Sequence, residues 1–248
     1  MLSAQQIKEL KGKRKIAQIT AYDYAFAKIA ESAGIDQILV GDSLANTMLG
    51  YKTTQAVGME EMLIFVAAVC RGAKNTHVIA DMPYLSDRTP GEALKNAQRF
   101  MEVGASSVKL EGFKPDVIET LIQNGIPVCA HLGLLPQTAT NFKQVGKSAE
   151  EADKLIREIR AIDEIGAYEC VLEHIPESLG EELTKTVNLV TIGIGGGSHT
   201  DGHVTVLHDA LGISDGKIPP FATQYCRLFD LAKKGIENYV EFVHNEPL

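Results

Sequence analysis

Along the chain, short apolar runs rich in Val and Ile alternate with longer stretches in which apolar residues recur at helical spacing. The first pattern predicts buried strands and the second amphipathic helices. The runs that qualify as strands are Lys15–Thr20, Gln37–Asp42, His77–Met82, Ser107–Glu111, Pro127–His131, Tyr168–Glu173, Leu189–Gly193 and Val204–His208. Between them lie helical segments such as Met59–Arg71, Gly91–Glu102, Pro115–Gln123 and the charged Ala149–Ile165. Gly34, Gly72, Gly104, Gly125 and Gly166 each precede the next strand and predict helix C-terminal stops. After Pro219 and Pro220, the segment Phe221–His244 reads as one or two further helices, which either close the array or dock on a neighbouring subunit.

Strands that are apolar throughout have to be covered on both faces, which predicts a parallel sheet flanked by helices. An open doubly wound sheet and a closed (β/α)8 barrel share this feature. The strand count decides between them: eight strands in 248 residues match the closed unit, which occupies about 250 residues. No linker, low-complexity tract or composition break interrupts the array. Residues 1–248 are therefore expected to form a single (β/α)8 TIM barrel domain with additional C-terminal helices.

Composition narrows the function. A net charge of −8 without a long basic run argues against a nucleic-acid surface, which needs clustered Lys and Arg to replace counterions. Cys70, Cys129, Cys170 and Cys226 are scattered and form no CxxC pair, so neither a disulfide framework nor a zinc knuckle is suggested. Met1–Lys15 is charged throughout and lacks the apolar stretch of a signal peptide, and no later run is long enough to span a bilayer. The expected setting is a reducing cytoplasm, without membrane or nucleic-acid partners.

The candidate chemistry lies in the polar residues that finish the strands. Asp42, Asp81, Glu111, His131 and Glu173 close five of the predicted strands. In a (β/α)8 barrel those ends converge on one face, the usual place of catalysis, so residues far apart in sequence would surround one pocket. An acidic residue after a strand can equally cap the next helix or turn. A cluster of carboxylates repels itself unless a cation lies between them, and all-oxygen ligation selects a hard ion such as Mg2+ over Zn2+. Lys109 lies two residues before Glu111, so both side chains share one side of the strand. It could neutralise charge developing on a substrate oxygen; the alternative is a structural ion pair inside the barrel.

The run Thr191-Ile-Gly-Ile-Gly-Gly-Gly-Ser198 lacks the full GxGxxG spacing of a dinucleotide loop and comes late in the array. A glycine-rich loop after the seventh strand can instead hold a phosphate. His199, His203 and His208 near it do not match HExxH and are read as packing or surface residues.

Taken in order, Thr20-Ala-Tyr-Asp-Tyr24, Ala33-Gly-Ile-Asp36, Val40-Gly-Asp-Ser-Leu44, Ala80-Asp-Met-Pro83, Val108-Lys-Leu-Glu-Gly112, Pro127-Val-Cys-Ala-His-Leu-Gly-Leu134, Val171-Leu-Glu173, Ile192-Gly-Ile-Gly195, Asp201-Gly-His-Val204 and His208-Asp-Ala-Leu-Gly212 resemble the ketopantoate hydroxymethyltransferase family. The resemblance spans nearly the whole chain. It implies a (β/α)8 barrel of the phosphoenolpyruvate mutase and isocitrate lyase superfamily. It also implies transfer of a hydroxymethyl group from methylenetetrahydrofolate to α-ketoisovalerate (3-methyl-2-oxobutanoate), giving ketopantoate for pantothenate biosynthesis. Carried over by position, Asp42, Asp81 and Glu111 would hold one Mg2+ per subunit, directly or through water. Ser43 would hold the substrate carboxylate, Lys109 and His131 would contact substrate or product oxygens, and Glu173 would be the general base. Bound to Mg2+, the 2-oxo acid would lose the proton on its adjacent carbon more easily, and the resulting enolate would attack the one-carbon unit of the folate. The resemblance further implies a large ring assembly, a decamer.

The chain departs from the family pattern at Ala45 and Asn46, where Gly-Met is usual, at Phe65, where His is usual, and at His203, where Gln is common. Thr138–Lys147 is short and lacks a glycine-rich lid. These departures are expected around the substrate mouth. Three rival readings stay open: a divergent enolate-forming lyase or transferase acting on another 2-oxo acid, a barrel synthase with phosphate at Gly195 to Ser198, and a catalytically silent barrel acting as an assembly partner.

Overall fold

Ser107–Glu111 reads Ser-Val-Lys-Leu-Glu, and every residue in it is buried although two are charged. Only a strand covered on both faces, with its ions paired, tolerates this. The computed structural model, which describes residues 1–214, 218–219 and 222–246, supplies that setting. The elements run α1 (Ala4–Lys8), β1 (Ile16–Thr20), α2 (Tyr24–Ser32), β2 (Gln37–Val40), α3 (Leu44–Thr47), α4 (Met59–Gly72), β3 (His77–Asp81), α5 (Pro90–Glu102), β4 (Ser107–Glu111) and α6 (Pro115–Gln123). They continue with β5 (Val128–Gly133), α7 (Ala149–Ile165), β6 (Glu169–Glu173), α8 (Glu177–Thr186), β7 (Val190–Ile194), β8 (Gly202–Thr205), α9 (Leu207–Leu211) and α10 (Leu228–His244). The strands pair in sequence order and close into a barrel, as expected from their number. Pairing is parallel throughout the registers from β1 to β8, with Asp81 beside Lys109 and Glu111 beside His131.

Alternation along each strand sorts the interior into storeys. On β3, His77, Ile79 and Asp81 share a face, as do Ser107, Lys109 and Glu111 on β4 and Glu169, Val171 and Glu173 on β6. The middle storey is apolar: Ile16, Leu39, Ile79, Val171, Val190 and Ile192 belong to one core that Ile7 of α1 also enters. Polar groups lie on either side of it.

The outer helices form where the sequence gives them an apolar stripe and a start. Leu155, Ile159 and Ile162 make the buried face of α7, whose first turn is held by a reciprocal cap between Ser148 and Glu151. On α5, Thr89 caps the start, Pro90 occupies the first turn, and Ala93, Ala97 and Phe100 are buried. Gly34, Gly104, Gly125 and Gly166 have positive φ at or just after helix ends, as their stop role requires. Gly72 differs: it is the last residue of α4, and a side chain there would press on the Tyr24 carbonyl and Ala27 of α2. It serves close helix packing instead of a stop.

The eighth strand needs correcting. It runs over Gly202–Thr205 and pairs Gly202 with Ile192, while His208 lies in α9 instead of in a strand. Gly202 had the look of loop sequence, yet it starts the strand because any side chain there would collide with the Ile16 carbonyl.

The described residues divide into two compact units, Met1–Val204 and Thr205–Leu248. The second contains α9 and α10. Pro220 and Phe221, at the start of the expected C-terminal helical segment, lie outside the described residues. From Ala222 the chain is non-helical as far as Arg227, and one helix, α10, follows. No helix among the described residues is long and apolar enough to cross a membrane.

Candidate active site

The barrel brings all the sequence-selected residues to the C-terminal ends of consecutive strands. Asp81, Glu111 and Glu173 end β3, β4 and β6, and His131 lies within β5. Asp42 and Ser43 come just after β2, where the chain turns into α3. Asp42, Asp81, Lys109, Glu111 and His131 are all buried, whereas the Glu173 side chain keeps 17% of its surface open.

Their contacts form one connected set. Lys109 Nζ donates to Asp81 Oδ1 at 2.7 Å, and the Asp42 backbone N–H donates to Asp81 Oδ2 at 3.1 Å. His131 stands between two carboxylates, with Nε2 3.3 Å from Glu173 Oε2 and Nδ1 3.7 Å from Glu111 Oε2. Both ring nitrogens are buried, and among the described residues neither makes a well-aligned hydrogen bond. A buried polar atom left in this state costs about 1–3 kcal/mol, which an arriving ligand would recover.

The charges explain why. Burial raises the Asp81 carboxyl to about 6 despite Lys109 beside it, with Asp42 adding repulsion. Burial likewise raises Glu111 to about 8, opposed by Lys109 and reinforced by Asp42 and Asp81. Burial works against the Lys109 charge, but Asp81, Asp42 and Glu111 outweigh it and hold the ammonium above its ordinary value. His131 is pushed down by burial, with Glu173 pulling the other way. One ammonium thus faces three carboxyl groups and a neutral imidazole, and burial with mutual repulsion holds two of those carboxyls, Asp81 and Glu111, above their ordinary range.

A cation is the natural complement. Among the described residues, no three His, Cys, Asp or Glu side chains converge as direct metal ligands. A hard ion that keeps several waters, the habit of Mg2+, does not need a closed protein cage. The crowded carboxyl groups, and a buried His131 without a well-aligned hydrogen bond among the described residues, fit such a guest with an anionic companion.

Lys109 does form the buried ion pair that the sequence left as an alternative to a role on substrate. The two are compatible, because a Lys held charged by Asp81 can still face a substrate oxygen.

Two residues of this site went unselected in the sequence. Gln137, almost fully buried in the connection after β5, donates through Nε2 to Asp42 Oδ2 at 3.0 Å and through its backbone N–H to Glu111 Oε1 at 2.9 Å. It holds two of the three candidate metal carboxylates. Tyr22, buried just after β1, shares a hydrogen bond of 2.8 Å with Ser43 Oγ. The strand-end rule finds Tyr22 once uncharged polar residues are admitted to it. Nothing in the periodicity marks Gln137.

The departures do not all gather at the mouth. Ala45 and Asn46 lie in α3, where Ala45 is fully buried and Asn46 Nδ2 donates to the Tyr51 carbonyl at 2.8 Å. Phe65 lies in the middle of α4 in the outer helical layer, and His203 is an exposed residue of β8. The glycine-rich loop is also spoken for: Ser198 donates through its backbone N–H and its hydroxyl to Glu177 Oε1, at 3.1 and 2.9 Å. A carboxylate already sits where a phosphate would bind, which counts against the phosphate reading.

Comparison with known proteins identifies the family of the whole chain. A family profile described as ketopantoate hydroxymethyltransferase matches residues 1–247. A 3-methyl-2-oxobutanoate hydroxymethyltransferase of Thermotoga maritima is 43% identical over 96% of this chain and 90% of its own length. One from Kosmotoga olearia is 45% identical over 98% of this chain and 94% of its own. Among solved structures, 2,3-dimethylmalate lyase, a PEP mutase/isocitrate lyase superfamily member, aligns with a TM-score of 0.62 at 14% identity, covering 100% of this chain and 89% of that one. Phosphonopyruvate hydrolase, in complex with oxalate and Mg2+, aligns with a TM-score of 0.63 at 15% identity, covering 84% and 81%. At such identities these two structures speak for the fold alone.

Proposed function

The chain belongs to the ketopantoate hydroxymethyltransferase family, a family of transferases, and on that premise we propose that it forms ketopantoate from α-ketoisovalerate and methylenetetrahydrofolate. The observation that carries the reading is the meeting of Asp42, Asp81, Lys109 and Glu111 at one end of the barrel with His131, which is buried between Glu111 and Glu173. Asp42, Asp81 and Glu111 are the residues that would hold Mg2+, in part through water, with Gln137 fixing Asp42 and Glu111. When bound, that ion supplies Lewis acidity toward the keto and carboxylate oxygens of the substrate.

The chain's own residues do the rest. Ser43, oriented by Tyr22, donates to the substrate carboxylate. Glu173, partly open to solvent, takes the proton from the carbon beside the keto group. His131, 3.3 Å from Glu173, is kept neutral by burial and can donate to a substrate oxygen. Lys109 stays charged through Asp81 and stabilises the enolate oxygen as charge moves onto it. The enolate carbon then attacks the one-carbon unit. We place the reaction in the cytoplasm. The subunits assemble through surfaces that include α10, whose Leu231, Ile236, Tyr239 and Phe242 are exposed, in a homo-oligomer that the family resemblance puts at a decamer.

The deciding experiment incubates the protein with Mg2+, α-ketoisovalerate and methylenetetrahydrofolate and identifies the product. Ketopantoate is expected. Proton exchange at the 2-oxo acid without any transfer would favour instead an enolate-forming enzyme with another second substrate.

A further inference from the structure

The enolate needs an electrophile delivered by a second molecule, and the barrel mouth offers a place for one. Beside Glu111 a cleft of about 550 Å³ opens between the connection from β3 to α5 and the connection from β4 to α6. That is within the range of small-molecule sites, roughly 300–1,000 Å³. It is more room than a five-carbon oxo acid needs.

The cleft is built and held open. Lys114 Nζ donates to both oxygens of the buried Asp87 at 2.7 Å, which ties one connection to the other. On either connection a large apolar side chain lines the cleft and stays in water: Leu85 at 49% exposure and Phe113 at 40%. Leu85 also has φ +66, a left-handed conformation that a branched side chain seldom takes. Backbone held against local preference is a recurrent feature of ligand-clamping segments. Arg88, at the rim, has an exposed guanidinium that meets only an i,i+4 carboxylate, Glu92, among the described residues. Such a pair contributes little and leaves the charge free to serve another anion.

We propose that this cleft receives the one-carbon donor, with its flat heteroaromatic head between Leu85 and Phe113 and its anionic tail toward Arg88. The assignment rests on the function proposed above. The head is thereby directed at Glu111 and at the enolate beyond it, and the tail is left at the solvent edge.

The test titrates tetrahydrofolate into the parent, Leu85→Gly, Phe113→Ala and Arg88→Gln, and measures the KM for each substrate. Glycine suits the backbone of residue 85, so L85G removes the wall without straining the fold. L85G and F113A are expected to weaken tetrahydrofolate binding, and to raise the KM for methylenetetrahydrofolate, about tenfold, while the KM for the 2-oxo acid moves less than about twofold. R88Q should weaken binding about threefold, an effect that fades as salt is raised. Equal binding by parent, L85G and F113A, or no binding by the parent, overturns the proposal. If the parent binds tetrahydrofolate and L85G loses it, yet no ketopantoate forms, the cleft assignment stands and the functional reading falls. If ketopantoate forms and the variants keep the parent KM for the donor, the reverse holds.

Discussion

The two ends of this barrel are both polar and both buried, yet they are built on opposite principles. At the N-terminal end, Glu169 accepts from Gln18 Nε2 at 3.0 Å, Gln37 Nε2 at 2.8 Å and Cys129 Sγ at 3.3 Å. His77 meets the Leu2 carbonyl, Ser107 Oγ and the Tyr168 hydroxyl. Among the described residues no Lys or Arg takes part, and burial disfavours charge on both groups, pushing Glu169 up to about 7 and His77 down to about 4. At the C-terminal end one ammonium faces several crowded carboxyl groups, and among the described residues the His131 nitrogens make no well-aligned hydrogen bond. Both ends spend burial on polar groups. At the N-terminal end the ionisable Glu169 and His77 are hydrogen-bonded inside the barrel, although Gln18 Oε1 and Gln37 Oε1 have no partner among the described residues, whereas at the C-terminal end it is an ionisable group, His131, that is left without one. Crowding of acidic groups around a single cation, and not polarity as such, marks the proposed functional end.

The sharpest way to break this comparison is to unpair Lys109. Asp81→Ala removes its partner at 2.7 Å and leaves a buried cation, which should cost about 3–5 kcal/mol in urea unfolding and abolish turnover. Asp81→Ala with Lys109→Met removes both charges and should recover most of that stability, with no recovery of Mg2+ affinity or turnover. If the double variant also regains activity, the pair is merely structural and the site has been misplaced.

Next in size comes the base. Glu173→Gln keeps shape but cannot accept a proton, and deuterium exchange into α-ketoisovalerate should fall about a thousandfold, with 2-oxo acid binding retained. Exchange at the parent rate in the variant would hand the role to another group.

A matching change at the other end should touch stability alone. The Glu169 carboxyl sits at about 7 in the fold, because burial outweighs its donors Gln37, Cys129 and Gln18, against about 4.3 in the unfolded chain. Below the unfolded value both states hold the proton. As pH rises, the unfolded chain gives it up first, so folding weakens until the folded value is passed, by on the order of 3 kcal/mol in all. His77 works in the opposite sense, losing stability as pH falls, which is why the difference between parent and Glu169→Gln is the quantity to measure. Urea unfolding from pH 4.5 to 8 should show that difference growing in favour of the variant and then levelling. Parallel curves would mean that Glu169 is ionised throughout.

Much of the functional end was legible in the sequence because it obeys a rule of placement. The alternation of runs and helices yields the barrel, the barrel yields the C-terminal face, and Asp42, Asp81, Glu111, His131 and Glu173 then stand where that face predicts. The N-terminal network was illegible for the complementary reason: Gln18, Gln37 and Glu169 sit inside runs that read as ordinary strand sequence, and only the closed barrel brings them within reach across it. Gln137 was hidden because loop backbone, not periodicity, carries it to Asp42 and Glu111. The eighth strand slipped because its first residue is a glycine, whose missing side chain counts as loop in a sequence and as close packing in the fold.

The smallest test uses two buried tyrosines as a matched pair, one at each end. Tyr22 bonds Ser43 Oγ at 2.8 Å beside the proposed carboxylate site, and Tyr168 bonds Ser107 Oγ at 3.0 Å and His77 Nε2 at 3.2 Å in the N-terminal network. Each Phe replacement deletes one hydroxyl and keeps the ring, so each removes hydrogen bonding worth about 1 kcal/mol. If the ends differ as argued, the same deletion will be read out in different quantities. Tyr22→Phe frees Ser43 to rotate and should raise the KM for α-ketoisovalerate about fivefold while kcat moves less than about twofold. Tyr168→Phe leaves Ser107 and His77 short of a buried partner and should lower unfolding stability by about 1–2 kcal/mol, with both kinetic constants within about twofold of the parent. A KM change in Tyr168→Phe would show that the two ends are coupled through the apolar storey between Ile79 and Ile192, and the division of labour along the barrel axis would have to be given up; an unchanged KM in Tyr22→Phe would instead remove Tyr22 and Ser43 from the carboxylate site.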